Sequence, residues 1–230
     1  MQDKYGFKLN NSSFKNSKII ELSNWPRRQH FEFYSGMAEP NFSVCLNLNV
    51  ANLLSYCKTA HTSFYDAYLF ATMKAVNQFE NFRYRLLNGN VIECSEIGIN
   101  ATHLLEDKTF RFTYVKHATT FNSFTRNNRE AIKKASLDSF VSKEFVLNQD
   151  KLNTIYLSVL PWLNFISFRH ATHPKLNNGV PKFVFGKIDK MTQIMPLSIE
   201  VNHALVDGYH VGLFVDELQH LLDDPERLLL

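Results

Sequence analysis

Four residues of one parity, Leu197, Ile199, Val201 and His203, run directly into Asp207-Gly208, and beyond them Val211, Phe214, Val215, Leu218 and Leu221 recur at helical spacing. Apolar alternation predicts a strand with a buried face, and the later spacing predicts an amphipathic helix. A strand that must turn within a few residues into a helix restricts the fold to sheets covered by helices. Gly208 is placed to let the chain turn sharply, and Asp207 to cap the helix.

The rest of the chain fits that frame. Phe42 to Val50 alternates and predicts a strand, as do Thr109 to Val115, Ile155 to Leu160 and Lys182 to Lys187. Thr62 or Ser63 is placed to cap a helix running to about Phe79. Asn88-Gly89, whose residues tolerate positive φ, joins Phe82–Leu86 to Val91–Ile92 as a hairpin. Phe121 to Phe140 carries periodic apolar residues and predicts a further helix. Strands and helices alternate loosely with hairpins among them. The expected class is α/β, a mixed sheet covered by helices.

Across 230 residues there is no Pro-, Gly- or Ser-rich linker and no repeat, so a single domain over 1–230 is expected. Twenty phenylalanines supply the core and are candidates for lining an apolar pocket. The net charge of +3 comes from scattered Lys and Arg, which argues against nucleic-acid binding but suits an anionic small ligand. Three cysteines, Cys45, Cys57 and Cys94, form no CxxC pair and fit a reducing compartment. No apolar leader or membrane span is evident, and the most apolar stretch, Ile155 to Phe168, is interrupted by Pro161 and Asn164. A cytoplasmic protein is expected.

Several chemistries lack their signatures. There is no G-x-S-x-G elbow, P-loop or Gly-rich dinucleotide fingerprint. His170 and His173 form an HxxH without further convincing ligands, so no metal is expected. His203 remains: a neutral imidazole at a strand end can take a proton from a hydroxyl or thiol. From spacing alone, a hydrogen-bonded buried histidine beside a helix-capping Asp207 is the better reading, because an HxxxDG match is short.

The surrounding residues decide between them. Pro196-Leu-Ser-Ile-Glu-Val-Asn-His-Ala-Leu-Val-Asp-Gly-Tyr-His-Val-Gly212 resembles the active-site signature of the chloramphenicol acetyltransferases, and its HxxxDG is shared more widely by CoA-dependent acyltransferases. Trp25-Pro-Arg-Arg-Gln-His-Phe31 is similar to the family's N-terminal WxRxxHF motif, and Leu160-Pro-Trp-Leu-Asn-Phe-Ile-Ser-Phe168 to its PWxxFxSF motif. The resemblance spans essentially the whole chain. It implies a two-layer α/β sandwich, acetyl-CoA as co-substrate, no metal, and a homotrimer whose active sites lie between subunits.

The resemblance also implies roles. His203 would be the general base acting on the acceptor hydroxyl, and Ser158 the donor that stabilises the oxyanion. Asp207 would pair with Arg27 and support the site structurally. Tyr34, Phe42, Phe110 and Phe168 match aromatic positions of the chloramphenicol pocket. Trp162 and Lys187 match positions along the CoA tunnel, though a solvated lysine is the alternative for the latter. Three residues depart from the family pattern: Asn202 precedes the histidine, His170 replaces a pocket leucine, and Val184 stands where a threonine is common. These changes bear on the acceptor. Another hydroxylated small molecule and a non-catalytic binding relative are the alternatives to chloramphenicol acetylation. A dihydrolipoamide acyltransferase core is the nearest enzyme rival, but its usual lipoyl and linker domains do not fit in 230 residues.

Overall fold

A computed structural model of the chain describes residues 17–140, 151–171 and 178–230. Nine strands among them form two sheets. The smaller has the order β1 (Ser17–Ile19), β4 (Asn90–Cys94), β3 (Tyr84–Leu87) and is antiparallel. The larger has six strands in the order β2 (Asn41–Asn49), β9 (Ile194–Asn202), β8 (Lys182–Phe185), β7 (Thr154–Val159), β5 (Gly98–Leu104), β6 (Phe110–Val115). Its β7 pairs in parallel with both β5 and β8, and its other pairs are antiparallel, so the sheet is mixed, as expected.

The two faces of the large sheet differ because side chains alternate along each strand. One face carries Ile199 and Leu197, Phe183 and Phe185, Ile155 and Leu157, all buried. Helices cover it: α3 (Phe64–Gln78), α5 (Phe121–Ser136) and α6 (Gly208–Asp223). Phe183 meets Phe82 and Phe214 of α6, and Phe185 meets Tyr68 of α3, with ring centroids 6.4, 5.4 and 4.8 Å apart. Nearly every residue from Asp66 to Val76 is buried, so α3 is the central helix of the layer. The opposite face is lined instead by Ser198, Glu200, Lys182, Tyr156 and Ser158, with Thr102 and Phe112 further out. The shorter helices are α1 (Arg28–Ser35), α2 (Ala51–Thr59), α4 (Glu80–Arg83) and α7 (Pro225–Leu229).

Most expected elements form, with shifted ends. Ser63 is the cap of α3, its Oγ accepting from the Asp66 N–H at 3.1 Å. Asn88 and Gly89 do adopt positive φ, 49° and 79°, between β3 and β4. Phe82 lies in α4 rather than in the hairpin. The helix expected to reach Phe140 ends at Ser136, where Leu137 caps it. β9 begins at Ile194, before Pro196. A proline is tolerated there because β8 ends at Phe185, opposite Leu197, so no β8 partner needs the missing N–H.

One buried charge joins the two sheets. Arg85 of β3 is fully buried and donates to four carbonyls, those of Leu152, Phe82, Tyr84 and Thr154, at 2.6 to 2.8 Å. Two of these acceptors lie at the start of β7. Burial lowers its pKa to about 10, and the guanidinium stays charged because its neighbours accept only hydrogen bonds.

Candidate active site

β9 ends at Asn202, and the chain reverses there through hydrogen bonds to that one residue. Its side-chain oxygen accepts from the Ala204 N–H at 2.9 Å, and its carbonyl accepts from the Leu205 and Val206 N–H groups. Asn202 therefore makes the turn expected of Gly208. Nothing lies near a Cβ built on Gly208, which is simply the first residue of α6. His203 sits inside this turn, its N–H donating to the Pro40 carbonyl at 2.8 Å.

The His203 ring is sandwiched. Tyr34 of α1 stacks on it with centroids 3.9 Å apart and planes 7° from parallel, and Phe42 of β2 flanks it at 4.7 Å. Its Nδ1 is buried without a hydrogen-bond partner among the described residues. The ring itself is only partly buried. Of the two ring nitrogens, Nε2 is the one left to meet a bound molecule.

Arg27 closes the turn from outside. Its guanidinium donates to Asp207 Oδ2 at 2.5 Å and to the His203 carbonyl at 3.4 Å. One side chain from the N-terminal motif thereby fixes both the aspartate and the backbone of the histidine. Burial pushes the Asp207 carboxyl up, but the Arg27 hydrogen bond and the charges of His210 and Arg27 outweigh it, and the pKa falls below the ordinary value. Asp207 Oδ1 caps α6 by accepting from the Tyr209 and His210 N–H groups. His203, Tyr34, Phe42, Arg27 and Asp207, all singled out from sequence, meet at one end of β9.

Ser158 lies elsewhere. In register it faces Val184, which faces Ser198, so the three cross the polar face of the sheet in one row. The Ser158 Oγ accepts weakly from Thr102 at 3.5 Å. Val184 is fully buried beside it. Five residues of strand and two inter-strand steps separate this row from His203, about 19 Å at ordinary spacings. Within one chain the proposed base and oxyanion donor do not meet.

The segment from Pro161 to Ala171 passes over the polar face. Gly186 lets it approach, since a Cβ there would lie 2.8 Å from the Leu163 carbonyl and 2.9 Å from the Phe165 ring. The Phe168 carbonyl accepts from Ser198 Oγ at 3.4 Å, and the His170 N–H donates to Glu200 at 3.2 Å. Arg169 pairs with Glu39, next to Pro40. Beneath lies a charged cluster that sequence reasoning missed. Glu200 is only 3% exposed and pairs with Lys182 at 2.5 Å, with the His170 Nδ1 at 3.8 Å. Burial pushes the Glu200 carboxyl up, but the nearby His170 and Lys182 outweigh it and hold the pKa at about 2. Both His170 ring nitrogens are buried and lack hydrogen-bond partners among the described residues. The available signal was a glutamate inside an otherwise apolar strand, which demands a buried cation.

The remaining candidates are peripheral. Trp162 is 59% exposed, and Lys187, also exposed, is tied to the same segment by its N–H to the Leu163 carbonyl at 2.8 Å. Phe110 is half-exposed within a cluster formed with Phe112 and Phe140, at 5.5 and 5.3 Å. His173 lies outside the described residues, and among those described no three His, Cys, Asp or Glu side chains converge as metal ligands. No described helix is long and apolar enough to cross a membrane.

A family model described as chloramphenicol acetyltransferase matches residues 15–219. A chloramphenicol acetyltransferase of Proteus mirabilis is 30% identical over 214 residues, 90% of this chain and 94% of that protein. A solved chloramphenicol acetyltransferase superposes with a TM-score of 0.82 at 25% identity, covering 90% of this chain and 99% of that one. A probable dihydrolipoamide acetyltransferase from Listeria monocytogenes shares the fold, with a TM-score of 0.60 at 14% identity over 91% of this chain and 95% of that one. With a family model over most of its length and a relative at that identity, the chain belongs to the chloramphenicol acetyltransferase family.

Proposed function

We propose that this single-domain chain is an acetyl-CoA-dependent O-acetyltransferase that acetylates a hydroxyl of chloramphenicol, with His203 as general base and Ser158 as oxyanion donor. The observation that carries the reading is the His203 ring, stacked on Tyr34 with Nδ1 sealed and its backbone gripped by Arg27. A ring held so firmly cannot wander from its working orientation, which is what a general base requires.

In the reaction, the acceptor oxygen attacks the thioester carbonyl carbon as its proton passes to His203 Nε2. The tetrahedral oxyanion takes a hydrogen bond from Ser158 Oγ–H. Collapse breaks the C–S bond, and the leaving thiolate recovers the proton from the imidazolium, giving CoA and the acetyl ester. Asp207 and Arg27 support the geometry, while Tyr34, Phe42, Phe110, Phe168 and His170 line the acceptor pocket, with the buried Val184 beneath its floor. Trp162 and Lys187 border the path of CoA, the ammonium facing its phosphates.

The separation of His203 from Ser158 supports a site shared between copies, and the resemblance to the family makes that assembly a homotrimer in which one subunit's histidine faces the next subunit's Ser158. A second reading of the acceptor is favoured by the Lys182–Glu200–His170 cluster. Charged groups beneath Phe168 suit a more polar hydroxylated compound. A cytoplasmic location accords with the free Cys45, Cys57 and Cys94.

The test is CoA release from acetyl-CoA with chloramphenicol, comparing the wild type with His203→Ala. Thiol release that disappears in the variant supports both reaction and base. A wild type silent with chloramphenicol but active with another alcohol moves the acceptor to the second reading. Turnover surviving in His203→Ala rejects the mechanism.

A further inference from the structure

His210 is a titratable side chain at the turn for which the mechanism above has no use. It occupies the third position of α6, and its Nδ1 accepts the Asp207 backbone N–H at 3.2 Å while lying 2.8 Å from Asp207 Oδ1. The reciprocal arrangement, in which the capping residue holds the third helical N–H and the third side chain holds the capping residue's own N–H, normally uses Glu or Gln at that third position. Here an imidazole takes it, and an imidazole has two states with different partners. Neutral with its proton on Nε2, the ring accepts from the Asp207 N–H at Nδ1. Protonated, Nδ1–H can only donate, and the nearest acceptor is Oδ1 of the carboxylate whose other oxygen Arg27 holds.

We propose that His210 is a positioning residue for His203: its neutral Nδ1 fixes the Asp207 backbone and hence the carboxylate through which Arg27 braces the turn. The inference rests on the reading of His203 as the base. The charged groups facing the His210 ring are Asp207 in the turn, Arg27 ahead of α1 and Glu80 of α4. Burial lowers the His210 pKa, Asp207 raises it and Arg27 lowers it again, with a net fall below the ordinary histidine value. The sign follows: the fold disfavours the cation, so the brace is intact at neutral pH and loosens as pH falls. Loss of activity in acid then has two origins, protonation of the base and protonation of its brace.

The experiment compares His210→Leu and His210→Gln with wild type and His203→Ala, reading kcat, KM for acetyl-CoA and the kcat–pH profile. The Asp207 amide shift in ¹⁵N-resolved spectra reports the hydrogen bond without reference to turnover. His210→Leu is expected to lose the downfield amide shift and about tenfold in kcat, with KM little changed. Gln restores the acceptor, so His210→Gln should keep both and, as pH falls, lose activity in one protonation step instead of two. Wild-type kcat in His210→Leu, or an unchanged two-step limb in His210→Gln, overturns the proposal while an inactive His203→Ala leaves the base standing. An active His203→Ala rejects the base and this proposal together.

Discussion

Around His203 the partners are close in sequence or supplied by one long reach, whereas around Ser158 they come from four strands brought side by side by register. The first group is a turn: Asn202, His203, Asp207 and His210 lie within nine positions, and only Arg27, Tyr34, Phe42 and Pro40 arrive from elsewhere. The second group, Thr102, Ser158, Val184 and Ser198 with Lys182 and Glu200 alongside, exists only once β5, β7, β8 and β9 are paired. A locally bonded turn, gripped by one N-terminal segment, holds the proposed base, and the sheet as a whole holds the proposed oxyanion donor.

If that division is right, its two halves fail in different ways. His203→Ala should lower kcat by about 10³-fold, the usual worth of a positioned base, with the melting temperature near that of the wild type. A large drop in melting temperature would make the residue structural and end the comparison. Lys182→Met should act on the other half by stability, removing the cation from a buried Glu200 at a cost of about 3 kcal/mol in denaturant titrations. Its pH dependence is fixed in sign. The Glu200 pKa is depressed from 4.5 to about 2, so the stabilisation is whole above about pH 4.5 and drains away as pH falls toward 2. Lys182→Met should flatten that acid loss, and an unchanged profile would mean the pair does not hold the sheet face.

Ser158→Ala should cost about 10²-fold in kcat, as loss of one oxyanion donor does elsewhere. Mixing sharpens the result: co-assembled His203→Ala and Ser158→Ala chains should recover about a quarter of wild-type sites if each site draws on two copies. No recovery would return both residues to one chain and contradict their separation. The smallest effect is expected for Asp207→Asn, about tenfold in kcat through a loosened turn. Full activity in that variant would remove the Arg27–Asp207 brace from the site.

The same contrast explains what the sequence made legible. The strand carrying Leu197, Ile199 and Val201, the Ser63 cap and the Asn88-Gly89 turn announce themselves through period and turn chemistry, which are local properties. β5 was missed because its run Gly-Ile-Asn-Ala-Thr-His-Leu mixes buried apolar residues with polar ones that face the other side of the sheet. Gly208 looked like the residue that turns the chain, yet Asn202 does the turning through two acceptors that no spacing rule reveals. At the candidate site, the residues within a contiguous motif were found and placed together. Lys182 and Glu200 were not, because their pairing depends on the register of β8 against β9. His210 stood in the quoted motif, but its bond to the Asp207 amide is a matter of rotamer, which sequence does not encode.

Arg85 has a consequence for how the molecule comes apart. A guanidinium does not shed its proton under ordinary conditions, so it must keep its acceptors or return to water. Half of those acceptors belong to the β3 region and half to the start of β7. Peeling the hairpin of β3 and β4 away from the large sheet would carry Arg85 out with it and leave the Leu152 and Thr154 carbonyls without their donor, a cost of about 1–3 kcal/mol for each one that stays buried. The hairpin therefore has no stable detached state, and the small sheet behaves as a latch rather than a flap: partial opening is suppressed, and the two sheets are lost in a single cooperative event.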